Sequence, residues 1–212
     1  MVLAHPDDEV IFGWPLLQDK NIQKEILVCS SDLNNPLRKW CAHRKYDLAK
    51  LCSHLGIEHA CFDYDSEFYK TNMRKQKRRG LERLKPKKPP LLLWHIAEHI
   101  AGAIAQSDCD VVFTHNFWGE YGHMDHMLVN SIVLNNTRKP VMMTGARLNA
   151  PNLPLLMDAP AWNGVLETHF HSSHTLDLDF YEQCAAFYKN SGTWTWSMPP
   201  IERLNLYMFP PK

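Results

Sequence analysis

The apolar residues of this chain arrive in two rhythms. Short unbroken runs alternate with longer stretches in which apolar positions return at helical spacing. The lead Met1-Val2-Leu3-Ala4 and residues 26–30, 58–62, 110–114 and 140–144 read as strands. Residues 165–170 read as the last strand. Residues 9–17 read as a first helix, interrupted near Gly13 and Pro15. Residues 36–55 carry Leu37, Trp40, Cys41, Leu48, Leu51, Cys52 and Leu55 at helical spacing. Pro36 suits the first turn of that helix and Gly56 its C-terminal cap. Residues 91–106 form a strongly apolar helix, and 124–134 and 176–189 two more. Residues 149–164 are rich in Pro and Asn and predict no element. Strands that alternate with helices argue an α/β domain with a mostly parallel, Rossmann-like β-sheet flanked by helices. Ligands of such sheets bind at the carboxyl ends of the strands. The polar exits at 31–35, 63–66 and 115–120 are therefore the places for chemistry.

Composition narrows the choice of class. At 212 residues the chain is read as one domain over 1–212, long enough for a sizeable core. Its formal net charge is zero, so the molecule as a whole carries no signal for nucleic acid or an anionic membrane. The charge is segregated, however. Arg74, Lys75, Lys77, Arg78, Arg79, Arg83, Lys85, Lys87 and Lys88 face Glu82 alone, and Pro86, Pro89 and Pro90 close the stretch. This basic loop, at about 73–90, reads most simply as a solvated segment. A clamp for an anionic substrate group is its functional reading, and the lack of interleaved aromatics argues against nucleic acid. The six cysteines form no CxxC pair and read as buried thiols of a reducing compartment. With no leading signal peptide and no run long enough to span a membrane, a cytoplasmic location is expected.

Candidate chemistry concentrates in two places. His5, Asp7 and Asp8 lie within four positions, where Pro6 forces the chain to turn. Imidazole and carboxylate together suit a borderline cation such as zinc. Adjacent carboxylates can divide the labour, one as ligand and one as base. The plainer reading is a helix start capped by Asp7 or Asp8, with Glu9 in its first turn. Tyr121-Gly122-His123-Met124-Asp125-His126 follows a strand, and His123 and His126 share a helix face. Either can complete a three-ligand site with His5 and Asp8, the pattern of a catalytic zinc. Arg44 falls on an apolar stripe and there needs an anionic or carbonyl partner, unless its head reaches solvent. His95 and His99 read as surface or core histidines. His169, His171 and His174 either approach the metal rim or mark a strand end. Trp194-Thr195-Trp196 either lines a sugar-binding wall or covers the core.

The pair AHPDDE and YGHMDH resembles the zinc-dependent N-acetylglucosaminyl de-N-acetylases, the LmbE-like or PIG-L-like family. Arg44-Lys45-Tyr46-Asp47 through Leu55-Gly56 is similar to the family's Arg-x-x-acid helix, and Asp65-Ser66 to a substrate-side Asp-Ser. Phe187-Tyr188-Lys189-Asn190-Ser191 loosely resembles a late Tyr-x-Ser-Gln element, with Asn-Ser in place of Ser-Gln. The resemblance implies one zinc ion per chain, or another divalent metal, on His5, Asp8 and His126. It implies Asp7 as general base toward a metal-activated water, Tyr121 as oxyanion donor, and His123 as electrostatic partner or acid to the leaving amine. Asp125 would orient a histidine, and Arg44 and Asp65 would hold the substrate. The implied reaction removes acetyl from a small molecule or glycoconjugate carrying an N-acetylglucosamine-type sugar. Its rivals are a metal amidase for a non-sugar amide, a phosphoesterase, and a non-catalytic carbohydrate-binding protein.

Overall fold

The shortest strand sits where both halves of the sheet meet. In the computed structural model, which describes residues 1–31, 43–64, 91–146 and 159–211, β1 is only Val2–Leu3, yet both residues are buried. It pairs in parallel with β2 (Glu25–Ser30) on one side and β4 (Val112–Thr114) on the other. Beyond β2 lies β3 (Glu58–Tyr64), and beyond β4 lies β5 (Val141–Thr144), both parallel. β7 (Arg203–Phe209) then runs antiparallel to β5, and β6 (Phe170–Thr175) antiparallel to β7. The order is β3-β2-β1-β4-β5-β7-β6. The chain winds outward from β1 through β2 to β3, then restarts on the other side at β4. The switch point therefore falls between β1 and β4, where open α/β sheets form their ligand crevice.

The period of two along each strand sorts its side chains to opposite faces. Leu3, Ile26, Val28, Phe113 and Leu206 pack with α3 (Arg44–Leu55) and α8 (Leu178–Lys189) through Leu48, Leu51, Cys52, Tyr181, Ala185 and Tyr188. Val2, Leu27, Cys29, Val112, Val141 and Met143 pack on the other face. Their partners are α4 (Leu91–Gln106) and α6 (Met124–Asn136), through Ile96, Ile100, Ile104, Val129 and Val133. Strands buried on both faces read as unbroken apolar runs, which is why β2, β4 and β5 are legible in the sequence. The first helix is broken where expected, into α1 (Asp8–Ile11) and α2 (Trp14–Leu17). Gly56 caps α3 at φ +67°, its N–H reaching back to Cys52 and Ser53.

The C-terminal part departs from expectation. Residues 165–169 end a helix, α7 (Ala159–His169), and the strand starts at Phe170. β6 is an antiparallel edge strand of sequence FHSSHT, mostly solvated, so no apolar run announces it. β7, unpredicted, buries Leu204 and Leu206 between exposed neighbours. Asp65, the basic loop and residues 36–42 of the helix expected over 36–55 lie outside the described residues. Among the described residues no helix is long and apolar enough to cross a membrane.

Candidate metal centre and active site

The first motif leaves β1 through a strained turn. Asp7 adopts φ 96°, a left-handed conformation that costs a residue with a side chain ~1–3 kcal/mol. The turn is over-determined. Asp8 N–H donates to the His5 carbonyl at 3.3 Å and Asp7 N–H to Glu9 Oε2 at 3.0 Å. Tyr188 of α8 donates its hydroxyl to Glu9 Oε1 at 2.5 Å. The turn sends the two adjacent aspartates to different partners. Asp7 Oδ1 accepts from the Arg44 guanidinium, which also reaches the Pro6 carbonyl. Asp7 Oδ2 accepts from Thr195 N–H at 3.3 Å and Thr195 Oγ1 at 2.5 Å. Asp8 turns toward β4, its Oδ2 accepting from His5 N–H at 2.8 Å. Its Oδ1 stands 3.5 Å from His126 Nε2, and its Oδ2 3.5 Å from His5 Nδ1 and 3.3 Å from His115 Nε2.

The second motif is built on the exit of β4. His115 is the first residue past the strand, and its Nε2 accepts Ala4 N–H of β1's exit at 2.9 Å. A short helix, α5 (Gly119–Gly122), starts with Gly119 at φ +61° and Glu120 at φ +56°. His123 then caps α6, its Nδ1 accepting Asp125 N–H at 3.3 Å. Asp125 Oδ2 lies 3.1 Å from His5 Nε2, so a histidine of the first motif is oriented by an acid of the second. Glu120 Oε2 meets Nδ1 of His115 at 3.2 Å and of His126 at 2.7 Å.

The expected ligands His5, Asp8 and His126 are thus brought together. Among the described residues the donor atoms cluster in two groups able to hold a metal, His5–His123–His126 and Asp8–His115–His126; His126 belongs to both, whereas His5 and Asp8 fall in different groups. The site fits a cation on its own chemistry. His126 Nε2 is buried with no hydrogen-bond partner and faces a carboxylate oxygen. That nitrogen meets no donor, and a cation between it and Asp8 Oδ1 would satisfy it. Asp7, Asp8, Glu120 and Asp125 are buried here beside Arg44. Against burial, the last three carboxylates raise the pKa of His5 and His115 to about 9, so the pocket favours positive charge.

The local fields give each group a distinct state. Burial opposes the charge on Asp8, but His126 and His115 outweigh it and hold its carboxyl well below the ordinary range. Burial raises Asp7, against the pull of Arg44 and the Thr195 hydrogen bond. Burial, His126 and His5 lower His123, so it stays neutral, and with Nδ1 accepting it presents Nε2–H. Burial and His115 likewise lower His126. Burial, Asp8 and Asp7 raise Tyr121, which keeps its hydroxyl proton as a donor.

The remaining candidates separate clearly. Arg44 has both partner types its position demanded, the Asp7 carboxylate and the Pro6 carbonyl. Its head is buried rather than solvated. Trp194 packs near Tyr181 and Tyr188 in the core, whereas Trp196 lies 5.9 Å from Tyr121 and 5.5 Å from Phe12 beside the site. The reading of the tryptophan pair as wall or cover is split between them. His99 meets the Tyr64 hydroxyl and His95 pairs with Glu98, both on α4. His171 and His174 lie on the edge strand β6, and His169 stacks on Phe209 at the end of α7, so none of the three reaches the site. His115 and Glu120 were given no individual role from sequence, and Thr195 was read only within Trp194-Thr195-Trp196 as wall or cover, not as a partner of Asp7. For His115 a signal existed, its place directly after a strand; for the Thr195 contact with Asp7, far along the chain, there was none.

Comparison with known proteins agrees with this geometry. A curated relative, "Uncharacterized protein L374" of Acanthamoeba polyphaga mimivirus, is 23% identical over 162 residues. The match takes in 72% of this chain but only 58% of that protein's length. Among solved structures, a deacetylase of teicoplanin biosynthesis in complex with teicoplanin superposes with a TM-score of 0.56 at 14% identity, covering 98% of both chains. The deacetylase Dbv21, of the A40926 pseudoaglycone, gives 0.55 at 15% identity, covering 91% of this chain and 81% of its own. A zinc-inhibited form of the teicoplanin deacetylase Orf2 gives 0.54 at 13% identity, covering 98% of both chains. At these identities the likeness establishes the fold. The family model for PIG-L, GlcNAc-PI de-N-acetylase, matches residues 1–137, a span that runs from β1 to just past α6 and holds both motifs, and the chain belongs to that family.

Proposed function

We propose that this chain is a metal-dependent hydrolase that removes the acetyl group from an N-acetylglucosamine-type sugar. The observation that carries the reading is the unpartnered, buried His126 Nε2 opposite Asp8 Oδ1, with Asp7 held apart from both on Arg44 and Thr195. His5, Asp8 and His126 would hold the ion, with zinc the first candidate and another divalent metal the alternative. When bound, such an ion supplies an acidified water and Lewis-acid polarisation of the amide carbonyl. Asp7, its proton affinity raised by burial, takes the proton of the attacking water. Tyr121 O–H and His123 Nε2–H are the donors for charge that develops on the carbonyl oxygen. Asp125 keeps His5 oriented. Arg44 holds Asp7 in place, a different task from the substrate contact that the resemblance implied.

The face formed by the half-buried Trp196 and Tyr121, backed by the buried Phe12, supports a ring-shaped substrate. A two-metal phosphoesterase is disfavoured, because among the described residues the two candidate ligand groups share His126 and Ala4 N–H occupies His115 Nε2. The test is metal analysis together with acetate release from a panel of GlcNAc conjugates, using protein loaded with zinc and, separately, with other divalent ions. About one ion per chain and release abolished by chelation are expected. Release from simple N-acetylamines but from no sugar would favour the non-sugar amidase. Metal-independent release would end the proposal.

A further inference from the structure

His115 and His126 stack face to face, with ring centroids 3.8 Å apart and planes 19° from parallel. Both are fully buried, both point Nδ1 at the same Glu120 oxygen, and both point Nε2 toward Asp8. By residue type either can be the metal ligand. We propose that Glu120 is the positioning residue of the metal centre, fixing the tautomers that make His126 a ligand and His115 a prop. This deepens the metal-dependent reading above and rests on it.

A carboxylate is an acceptor only. Glu120 Oε2 at 2.7 Å and 3.2 Å therefore requires a proton on Nδ1 of each ring. Against burial, Glu120 and Asp8 favour a second proton on His115, but Ala4 N–H points at its Nε2 and needs a lone pair there; with both rings neutral, both Nε2 atoms carry lone pairs. The lone pair of His115 is used by Ala4 N–H, which also ties the exit of β4 to the exit of β1. The lone pair of His126 meets no donor and stays open toward Asp8 Oδ1. One carboxylate thus settles both choices. It also adds electron density to the ligating ring, as second-shell carboxylates do for metal-bound histidines.

The backbone shows that Glu120 is held for this task. It is fully buried and occupies a left-handed conformation uncommon for a residue with a Cβ. Asn116 clamps it reciprocally: Asn116 N–H donates to Glu120 Oε1 at 3.0 Å, and Glu120 N–H donates to Asn116 Oδ1 at 2.9 Å. Asn116 Nδ2 in turn donates to the carbonyls of Thr144 at 3.2 Å and Ala146 at 2.8 Å, at the carboxyl end of β5. Such strain persists only where the surroundings over-determine it, and it clusters at functional sites.

The test uses the whole chain and reads metal binding without substrate. Zinc affinity is measured by chelator competition for wild type and Glu120→Gln, and the d–d spectrum of cobalt-loaded protein reports ligand geometry. The amide of Gln accepts from one ring but presents N–H to the other, which forces one tautomer to change. Zinc affinity should fall ~10–100-fold, with a shifted cobalt spectrum. Unchanged affinity and spectrum in a folded Glu120→Gln would overturn the proposal. Should that variant not fold, long-range ¹H–¹⁵N NMR of zinc-loaded wild type decides. The proposal requires His126 protonated at Nδ1 with metal-shifted Nε2, and His115 protonated at Nδ1 with no metal shift; zinc on His115 overturns it. A wild type that takes up no divalent ion would instead bring down the metal-dependent reading itself, and this inference with it.

Discussion

The guanidinium of Arg44 offers the sharpest test of how the site is held. Arg44 opens α3 and, with only 3% of its surface exposed, donates to Asp7 Oδ1 and to the Pro6 carbonyl. Asp7 is 1% exposed, so neither member of the pair has water to fall back on. Arg44→Met keeps most of the apolar stem and removes the head. It leaves a buried carboxylate with only Thr195 donating to it, and a carbonyl without its donor. Breaking a buried pair from one side costs ~3–5 kcal/mol. In a chain of this length each kcal/mol moves the melting temperature by ~2–4 °C, so a drop of ~6–20 °C is expected. Adding Asp7→Asn removes the stranded charge and still tolerates the left-handed turn. The double variant should therefore recover part of the loss, with a coupling of ~2 kcal/mol or more in a double-mutant cycle. Urea unfolding of chelator-treated protein, followed by tryptophan fluorescence, reads this without the linked effect of metal binding. A single-variant loss below ~1 kcal/mol, or strictly additive variants, would refute the view that this pair locks the first motif.

Three further outcomes follow from the same geometry. Alanine at His5, Asp8 or His126 should sharply lower metal content while Asp7→Ala retains it; the reverse pattern for the two aspartates would show that ligand and base are exchanged. Asp7→Asn should lose ~10²–10⁴-fold in kcat with KM little changed, as expected for a lost general base, and a His123→Ala enzyme with wild-type turnover would remove His123 from the chemistry. Burial raises the Glu9 carboxyl from 4.5 to about 8, beyond what the Tyr188 hydrogen bond can offset. The folded state thus holds its proton more tightly than the unfolded chain, and metal-free stability should fall between those two values by at most about 1.4 kcal/mol per pH unit. Glu9→Gln, whose amide can serve both Asp7 N–H and Tyr188 Oη, should remove that slope; parallel pH profiles for the two proteins would mean that Glu9 is ionised throughout.

Much of the site was legible because its parts are local. His5, Asp7 and Asp8 share one turn forced by Pro6, and His123 caps the helix whose first turn carries His126, so residue type and spacing alone indicate metal chemistry. The buried parallel strands and the helix at Leu91–Gln106 were legible for a similar reason, since burial on both faces, or on one helical face, leaves its period in the sequence. The edge strand β6 leaves no such mark, because solvent on its surface permits Ser and His where a core strand would need Val or Ile. The short segment at 165–170, with Val165, Leu166 and Phe170 as its apolar residues, is too brief for periodicity to tell helix from strand, and only packing decides between them.

What the tertiary structure alone decides is direction and partnership. Ala4 and His115 meet across 111 positions, and Asp7 and Thr195 across 188, because β1 pairs with β4 and the C-terminal loop folds back over α1. Residue type makes His115 and His126 equally good ligands, and Asp7 and Asp8 equally good acids. Which nitrogen keeps its lone pair, and which carboxylate meets an arginine instead of an imidazole, depends on hydrogen bonds between segments far apart in the chain. Those bonds are directional to within a few tenths of an ångström, and only the packed sheet and its two helical layers hold the segments close enough to make them.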